Sequence, residues 1–91
     1  MEFQSKIVDL LDKGKADEAI ELATEFLTQT HAPKDQLYYL RGNAYRKKGD
    51  WQHALNDYLE AITINPESPA KHAYDMAIDI LNFFNKDMYN Q

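Results

Sequence analysis

Apolar residues recur at intervals of three and four along most of this 91-residue chain, which is the spacing of one face of an α-helix. The first apolar segment ends at Gly14, the third at Gly49 and the fourth before Asn65-Pro66. Glycine commonly closes helices, and a proline disfavours helical geometry in the residue before it. No segment alternates with a period of two over a convincing length. The pattern therefore predicts an all-α fold of about five helices without a sheet.

The predicted helices also carry signals at their starts. Asp17 suits the positive N-terminal end of the second helix, and Asp50 is placed to cap the fourth. Ser68 followed by Pro69 is a strong start signal for the fifth helix. We expect this last helix to run from about Pro69 towards Met88.

The first two helices are repeated in the next two. Aligning KGKADEAIE with KGDWQHALN sets Gly14 on Gly49 and Ala19 on Ala54, at a constant offset of 35 residues. Internal repetition at this period is typical of helical arrays.

The segment QLYYLRGNAYRKKGDWQHALNDYLEAITINPES carries small and bulky residues in a fixed order. They are Tyr38, Gly42, Tyr45, Ala54, Tyr58, Ala61 and Pro66. Counted from Asp35, residues 35–68 resemble a tetratricopeptide repeat, a helical hairpin of about 34 residues. The resemblance implies that two antiparallel helices approach closely at Gly42 and Ala54. Arg41 departs from the pattern, because the family usually has leucine there, and we expect Leu40 to supply the apolar contact.

The resemblance continues more weakly on both sides. Residues 1–34 look like a degenerate first repeat, in which Ile7 stands where Gly42 stands in the clear repeat. Residues 69–91 take the place of a third repeat's first helix and look like the capping helix that such arrays need. The resemblance implies a single domain over residues 1–91, with antiparallel helix pairs stacked as a short right-handed superhelix.

In this family the first helix of each repeat lines a groove that meets extended peptides. The resemblance carries five groove positions onto the third helix: Gln36, Tyr39, Asn43, Arg46 and Lys47. Asn43 offers both a donor and an acceptor to a peptide backbone, and Arg46 and Lys47 could recognise carboxylates. A family site that clamps the C-terminal carboxylate of a chaperone peptide fits poorly, because Tyr39 replaces a basic residue and the third repeat is missing. Two simpler interpretations stay open. Asn43 only contacts solvent, and Arg46 and Lys47 only stabilise the C-terminal end of the third helix through its dipole.

Charge and composition restrict the partners. The chain has 15 acidic and 10 basic residues, a net charge of −5, which argues against nucleic acid as a partner. Residues 31–50 nevertheless carry five basic residues against two acidic ones, which favours an acidic peptide or a C-terminal carboxylate. The chain contains no cysteine, so thiol chemistry and thiolate metal sites are excluded. Charged residues interrupt every apolar run, so we expect no membrane span and a cytoplasmic protein.

Residues suited to catalysis do not converge. His31, His53 and His72 fall on a loop and two different helices without metal-ligand spacing, and no glycine-rich phosphate loop occurs. We therefore predict neither an enzyme nor a cofactor or metal site. The predicted function is a protein-interaction module that binds a partner's peptide in the groove.

The last helix supplies the alternative function. Its polar stripe is narrow, and apolar residues cover most of its circumference. The candidate association surface consists of Tyr74, Ile78, Ile80, Leu81 and Phe84. This surface would meet a partner, a second copy or residues 85–91 folded back, or it stays partly exposed. The alternative is therefore a structural or oligomerisation module, and the expected state is a monomer or a weak homodimer.

Overall fold

A computed structural model describes residues 2–89, with the side chains of residues 3–83. It contains five α-helices, α1 Glu2–Asp12, α2 Ala16–Leu27, α3 Lys34–Lys48, α4 Trp51–Ile64 and α5 Ala70–Tyr89. No strand occurs between residues 2 and 89. The all-α prediction and the predicted helix order are confirmed. No helix within the described part of the chain is long and apolar enough to cross a membrane.

The turns after α1 and α3 have the same geometry. Gly14 has a φ of 75° and Gly49 a φ of 83°, the left-handed region that favours glycine. The next residue in each turn donates its backbone N–H to the fifth residue before it, from Lys15 to Leu10 at 2.8 Å and from Asp50 to Tyr45 at 2.9 Å. This is the Schellman helix ending, and its two copies lie 35 residues apart, as the sequence alignment predicts.

Side-chain caps start the last two helices at the predicted residues. Asp50 accepts the backbone N–H of His53 at 3.2 Å at the start of α4. Ser68 Oγ accepts the backbone N–H of Ala70 at 3.1 Å at the start of α5. Both bonds satisfy donors that have no partner inside a helix.

The core consists of two clusters that meet at α3. The first joins α1, α2 and α3 through Phe3, Ile7, Leu11, Ala19, Ala23, Leu37, Leu40 and Ala44. The second joins α4 and α5 through Ala54, Tyr58, Ala61 and Ala70, with Tyr38, Tyr39 and Tyr45 of α3 packed against it. The third helix is therefore packed on two sides, and this packing holds its remaining surface in place.

The helices α3 and α4 approach closely at Gly42. A Cβ placed on Gly42 would lie 2.7 and 2.8 Å from ring carbons of Tyr58 and 3.3 Å from the carbonyl oxygen of Ala54. Only glycine fits against this buried ring, which explains the small residue that the repeat pattern requires here.

Arg41 has a role that the sequence does not predict. Leu40 is buried in the first cluster, as expected. Arg41 instead donates from Nε and Nη2 to the carboxylate of Asp57 at 2.7 and 2.8 Å, and from Nη1 to Thr24 at 3.0 Å. Its guanidinium also lies over the rings of Tyr38 and Tyr45. A polar pair therefore joins α3 to α4, with a further bond to α2, at the position where the family usually has leucine.

Candidate peptide-binding groove

The five groove positions predicted on α3 form a surface that we call the candidate groove. Gln36 and Lys47 are exposed at its two ends, and Tyr39, Asn43 and Arg46 are half-buried between them. These positions recur at helical spacing on one side of α3. Because Tyr39, Asn43 and Arg46 are half-buried, neighbouring residues restrict these three side chains more than the exposed ones at the ends.

Tyr58 of α4 joins the centre of the candidate groove. Its hydroxyl donates a hydrogen bond to Asn43 Oδ1 at 2.6 Å. The ring of Tyr39 lies 6.2 Å from the Tyr58 ring, tilted by 40°. The structure therefore brings Tyr39, Asn43 and Tyr58 together, and the bond fixes the orientation of the Asn43 amide.

Burial and charge act in opposite directions on Tyr58. Burial raises the pKa of its hydroxyl to about 12, although the nearby positive charge of Arg46 favours the phenolate and lowers it. Tyr58 consequently stays protonated at neutral pH and remains a hydrogen-bond donor to Asn43.

Arg46 lies beside this hydroxyl and retains unused donor capacity. Its Nε is buried without a hydrogen-bond partner in the described part of the chain. Arginine carries five N–H donors and no acceptor. A buried donor without a partner is uncommon in folded proteins, so an acceptor oxygen that reached this atom on a small shift of the Arg46 side chain would be stabilising.

Each end of the candidate groove continues into a depression. At one end, Gln36 and Tyr39 line a space of about 330 Å³ together with Gln4 of α1 and Ser68 before α5. At the other end, Lys47 lines a space of about 610 Å³ beside the turn between α1 and α2. Gln36 and Tyr39 thus line the same depression, whereas Lys47 lines a different one.

Ion pairs reduce the positive charge of residues 31–50. Lys48 contacts Asp17 of α2 at 2.6 Å, and Arg41 is paired with Asp57 of α4. Two of the five cations in this segment are therefore neutralised by acids from other helices. Arg46 and Lys47 form no ion pair within the described residues, so they remain available to a ligand.

The residues of the association surface predicted on α5 differ in their exposure. Tyr74 packs against the second core cluster, and Ile78, Ile80 and Leu81 are half-buried. The side chain of Phe84 lies outside the described residues. Met76 is 46% exposed and is not among the five residues of the predicted surface. It lies 34 residues after Gly42, at the position that would face the second helix of a third repeat, so the repeat spacing could have identified it.

The side chains described by the structure form no group of three or more His, Asp or Glu residues that could hold a metal ion. His53 contacts Asp50 through Nδ1 at 2.8 Å and stacks on Tyr45, which places it at the start of α4 and away from the candidate groove.

Five helices, a repeated glycine turn and a close α3–α4 crossing define a helical repeat protein. A family model for the tetratricopeptide repeat matches residues 36–68. The chain is also similar to protein BF1650 of Bacteroides fragilis, whose structure was determined in solution by NMR. The two sequences are 53% identical, the match covers 100% of this chain and 92% of that one, and the TM-score is 0.89. No curated protein matches the chain. The chain belongs to the tetratricopeptide repeat family, whose repeats generally serve as non-catalytic protein–protein interaction modules.

Proposed function

We propose that this protein binds a peptide segment of a partner protein in the candidate groove, through Gln36, Tyr39, Asn43, Arg46 and Lys47. The partner segment carries acidic side chains or a C-terminal carboxylate. The protein acts as a cytoplasmic scaffold in which residues 1–91 work as one unit: a degenerate repeat over residues 1–34, the clear repeat over residues 35–68 and a capping helix over residues 69–91.

One observation carries the proposal: Arg46 and the Asn43 amide bring a positive charge without an ion pair among the described residues, together with N–H donors, to the centre of the groove. Arg46 Nε is buried without a partner among the described residues, and the side-chain oxygen of Asn43 accepts the Tyr58 hydroxyl, which turns its amide N–H donors away from Tyr58. Hydrogen bonds between a charged donor and a carboxylate are about twice as strong as neutral ones. An oxygen-rich peptide therefore complements this surface better than a basic one.

Binding of three synthetic decapeptides tests the proposal. They are an alternating Glu-Ser peptide with a free C-terminus, its C-terminal amide, and the matching Lys-Ser peptide. We expect the full chain to bind both Glu-Ser peptides and not the Lys-Ser peptide, as measured by fluorescence anisotropy at constant salt. A stronger response to the free C-terminus than to the amide would identify the terminal carboxylate as part of the ligand.

Variants connect this binding to the groove. Arg46→Gln should weaken binding about tenfold or more, because a charge-assisted hydrogen bond contributes roughly 1.5–3 kcal/mol. Lys48→Gln is the matched control, since Lys48 lies on the same helix turn but contacts Asp17. Equal weakening by both variants would indicate nonspecific attraction, and absence of binding to every probe would contradict the proposed function.

Association through α5 remains the second candidate. Met76 is 46% exposed on this helix, and Ile78 and Ile80 are half-buried. Under this alternative two copies associate through α5, and the groove is unused. Sedimentation of the full chain at two concentrations tests it: a mass that rises with concentration and returns to that of a monomer in Met76→Ser would support association, whereas a constant monomer mass would contradict it.

A further inference from the structure

Tyr58 determines which chemical groups Asn43 can offer to a ligand. An asparagine side chain normally presents one acceptor oxygen and two N–H donors. In this protein the oxygen accepts the Tyr58 hydroxyl at 2.6 Å. Resting on the proposed function, we propose that Tyr58 is a specificity-determining residue: it directs the amide N–H donors of Asn43 towards the groove, which favours the carbonyl and carboxylate oxygens of a partner peptide.

The surroundings of Tyr58 set the direction of its hydrogen bond. Arg46 lies beside the hydroxyl, and its guanidinium has donors only. The hydroxyl oxygen therefore faces a cation, and its proton is directed to Asn43. An asparagine that presented its NH₂ group to this hydroxyl would leave the buried Tyr58 proton without its acceptor. The Asn43 oxygen consequently faces Tyr58, and the NH₂ group faces the groove.

Packing holds the Tyr58 side chain in place. The residue is fully buried, its ring contacts the open side of Gly42, and the Tyr39 ring lies against it. The ring cannot turn aside without opening the α3–α4 crossing. The orientation of the Asn43 amide is therefore set before any ligand arrives, which reduces the entropy lost on binding.

The amide nitrogen of Asn43 is free to meet a ligand. Asn43 is half-buried, and the hydrogen bond of its side chain within the described residues is made by its oxygen. Together with Arg46 it forms a pair of donors on one face of α3. A ligand group that brings its own N–H, such as a glutamine amide or a lysine, finds no acceptor in this pair and loses a bond with water.

Exchange of glutamate for glutamine in the probe measures this selectivity. The Glu-Ser decapeptide is compared with a Gln-Ser decapeptide of the same length on the full chain and on Tyr58→Phe. We expect the wild-type preference for Glu-Ser to fall about fivefold in Tyr58→Phe, because the Asn43 amide, no longer fixed by the hydroxyl, can turn its oxygen to the groove and accept one hydrogen bond from the glutamine amide. Tyr45→Phe is the matched control and should keep the wild-type preference.

A second variant tests the donor pair and keeps the Tyr58 bond. Asn43→Asp still accepts the Tyr58 hydroxyl but replaces both amide donors with an acceptor. We expect it to lose affinity for Glu-Ser at least tenfold while Gln-Ser binding changes less. If Tyr58→Phe fails to fold, Asn43→Asp still tests whether the amide donors of Asn43 select the ligand.

The outcomes separate the two proposals. If no probe binds the wild-type chain, the proposed function and this inference are both wrong. If Glu-Ser binds but its preference over Gln-Ser is the same in wild type and Tyr58→Phe, or Asn43→Asp binds Glu-Ser as well as wild type, the role of Tyr58 alone is wrong.

Discussion

Asp57 is the buried charged side chain of the described residues, with 4% of its surface exposed, and Arg41 neutralises it. Two parallel hydrogen bonds join the guanidinium to both carboxylate oxygens. This geometry satisfies a carboxylate that would otherwise be strongly destabilising inside the protein. Asp57 also holds the pKa of Arg41 above its ordinary value, mainly through this hydrogen bond. The pair therefore acts as a polar connection between α3 and α4.

Replacing Arg41 with leucine, the residue that the family usually has there, should destabilise this protein. Arg41→Leu leaves the Asp57 carboxylate buried without a partner, which costs about 3 kcal/mol of the free energy of unfolding. Urea unfolding followed by circular dichroism measures the loss.

The double variant Arg41→Leu/Asp57→Leu is the control. Because it removes both charges, most of the lost stability should return. A single variant as stable as wild type, or a double variant less stable than Arg41→Leu, would contradict the role assigned to the pair.

Gly42→Ala tests the close approach of α3 and α4. Alanine favours a helix over glycine by about 1 kcal/mol, but overpacking a well-packed site costs about 1–3 kcal/mol. The new methyl group would meet the enclosed Tyr58 ring below 3 Å, so the overpacking is expected to dominate, with a net loss of up to about 2 kcal/mol. Thermal unfolding measures it. A Gly42→Ala chain more stable than wild type would show that the ring has room to move.

At the scale of the helices, the start of α4 depends on one ionised carboxylate. Asp50 accepts the His53 backbone N–H and contacts its ring, and these hydrogen bonds hold the pKa of Asp50 below its ordinary value. A carboxyl whose pKa is lower in the folded than in the unfolded state stabilises the fold above the unfolded pKa, and this contribution is lost as the pH falls through the folded pKa.

The difference in unfolding free energy between wild type and Asp50→Asn should therefore be constant near neutral pH and shrink below about pH 4. Urea unfolding at several pH values gives this difference. A gap that widens on acidification would contradict the assigned cap.

Two neighbouring residues of α5 test which side of this helix is packed. Ala77 is 1% exposed and Met76 is 46% exposed. Ala77→Asp places an unpaired charge in a buried position and should cost at least about 3 kcal/mol, whereas Met76→Asp should change stability by less than about 0.5 kcal/mol. Thermal unfolding of both variants provides the comparison. Similar losses in the two would mean that α5 is not held in the described orientation.

The helix boundaries could be predicted from sequence because their causes are local. A glycine turn, an Asp cap and a Ser-Pro start each act within a few residues of the chain, at Gly49, Asp50 and Ser68. The bonds of Arg41 to Asp57 and of Tyr58 to Asn43 could not be predicted in this way. Each joins residues 15 or 16 positions apart on two helices, and neither is specified by the periodicity of either helix.

At the scale of the whole molecule, the charge pattern along the chain and the charge pattern in space differ. The sequence predicts a positive segment between two negative ones. Folding brings Asp17 to Lys48 and Asp57 to Arg41, so that Lys34, Arg46 and Lys47 remain without ion pairs among the described residues, and two of these three lie on the candidate groove. The positive charge available to a partner is therefore smaller than the sequence indicates and is concentrated at the candidate groove.

The side-chain NMR signals of the labelled full chain test the central claim most directly. During titration with the Glu-Ser decapeptide, the Asn43 NH₂ and Arg46 Nε–H signals should shift together with one saturation curve, because both side chains belong to the site that the same ligand occupies. The Lys48 and α5 signals should stay in place. Unchanged Asn43 and Arg46 signals at saturating peptide, or shifts confined to α5, would contradict a peptide-binding groove on α3.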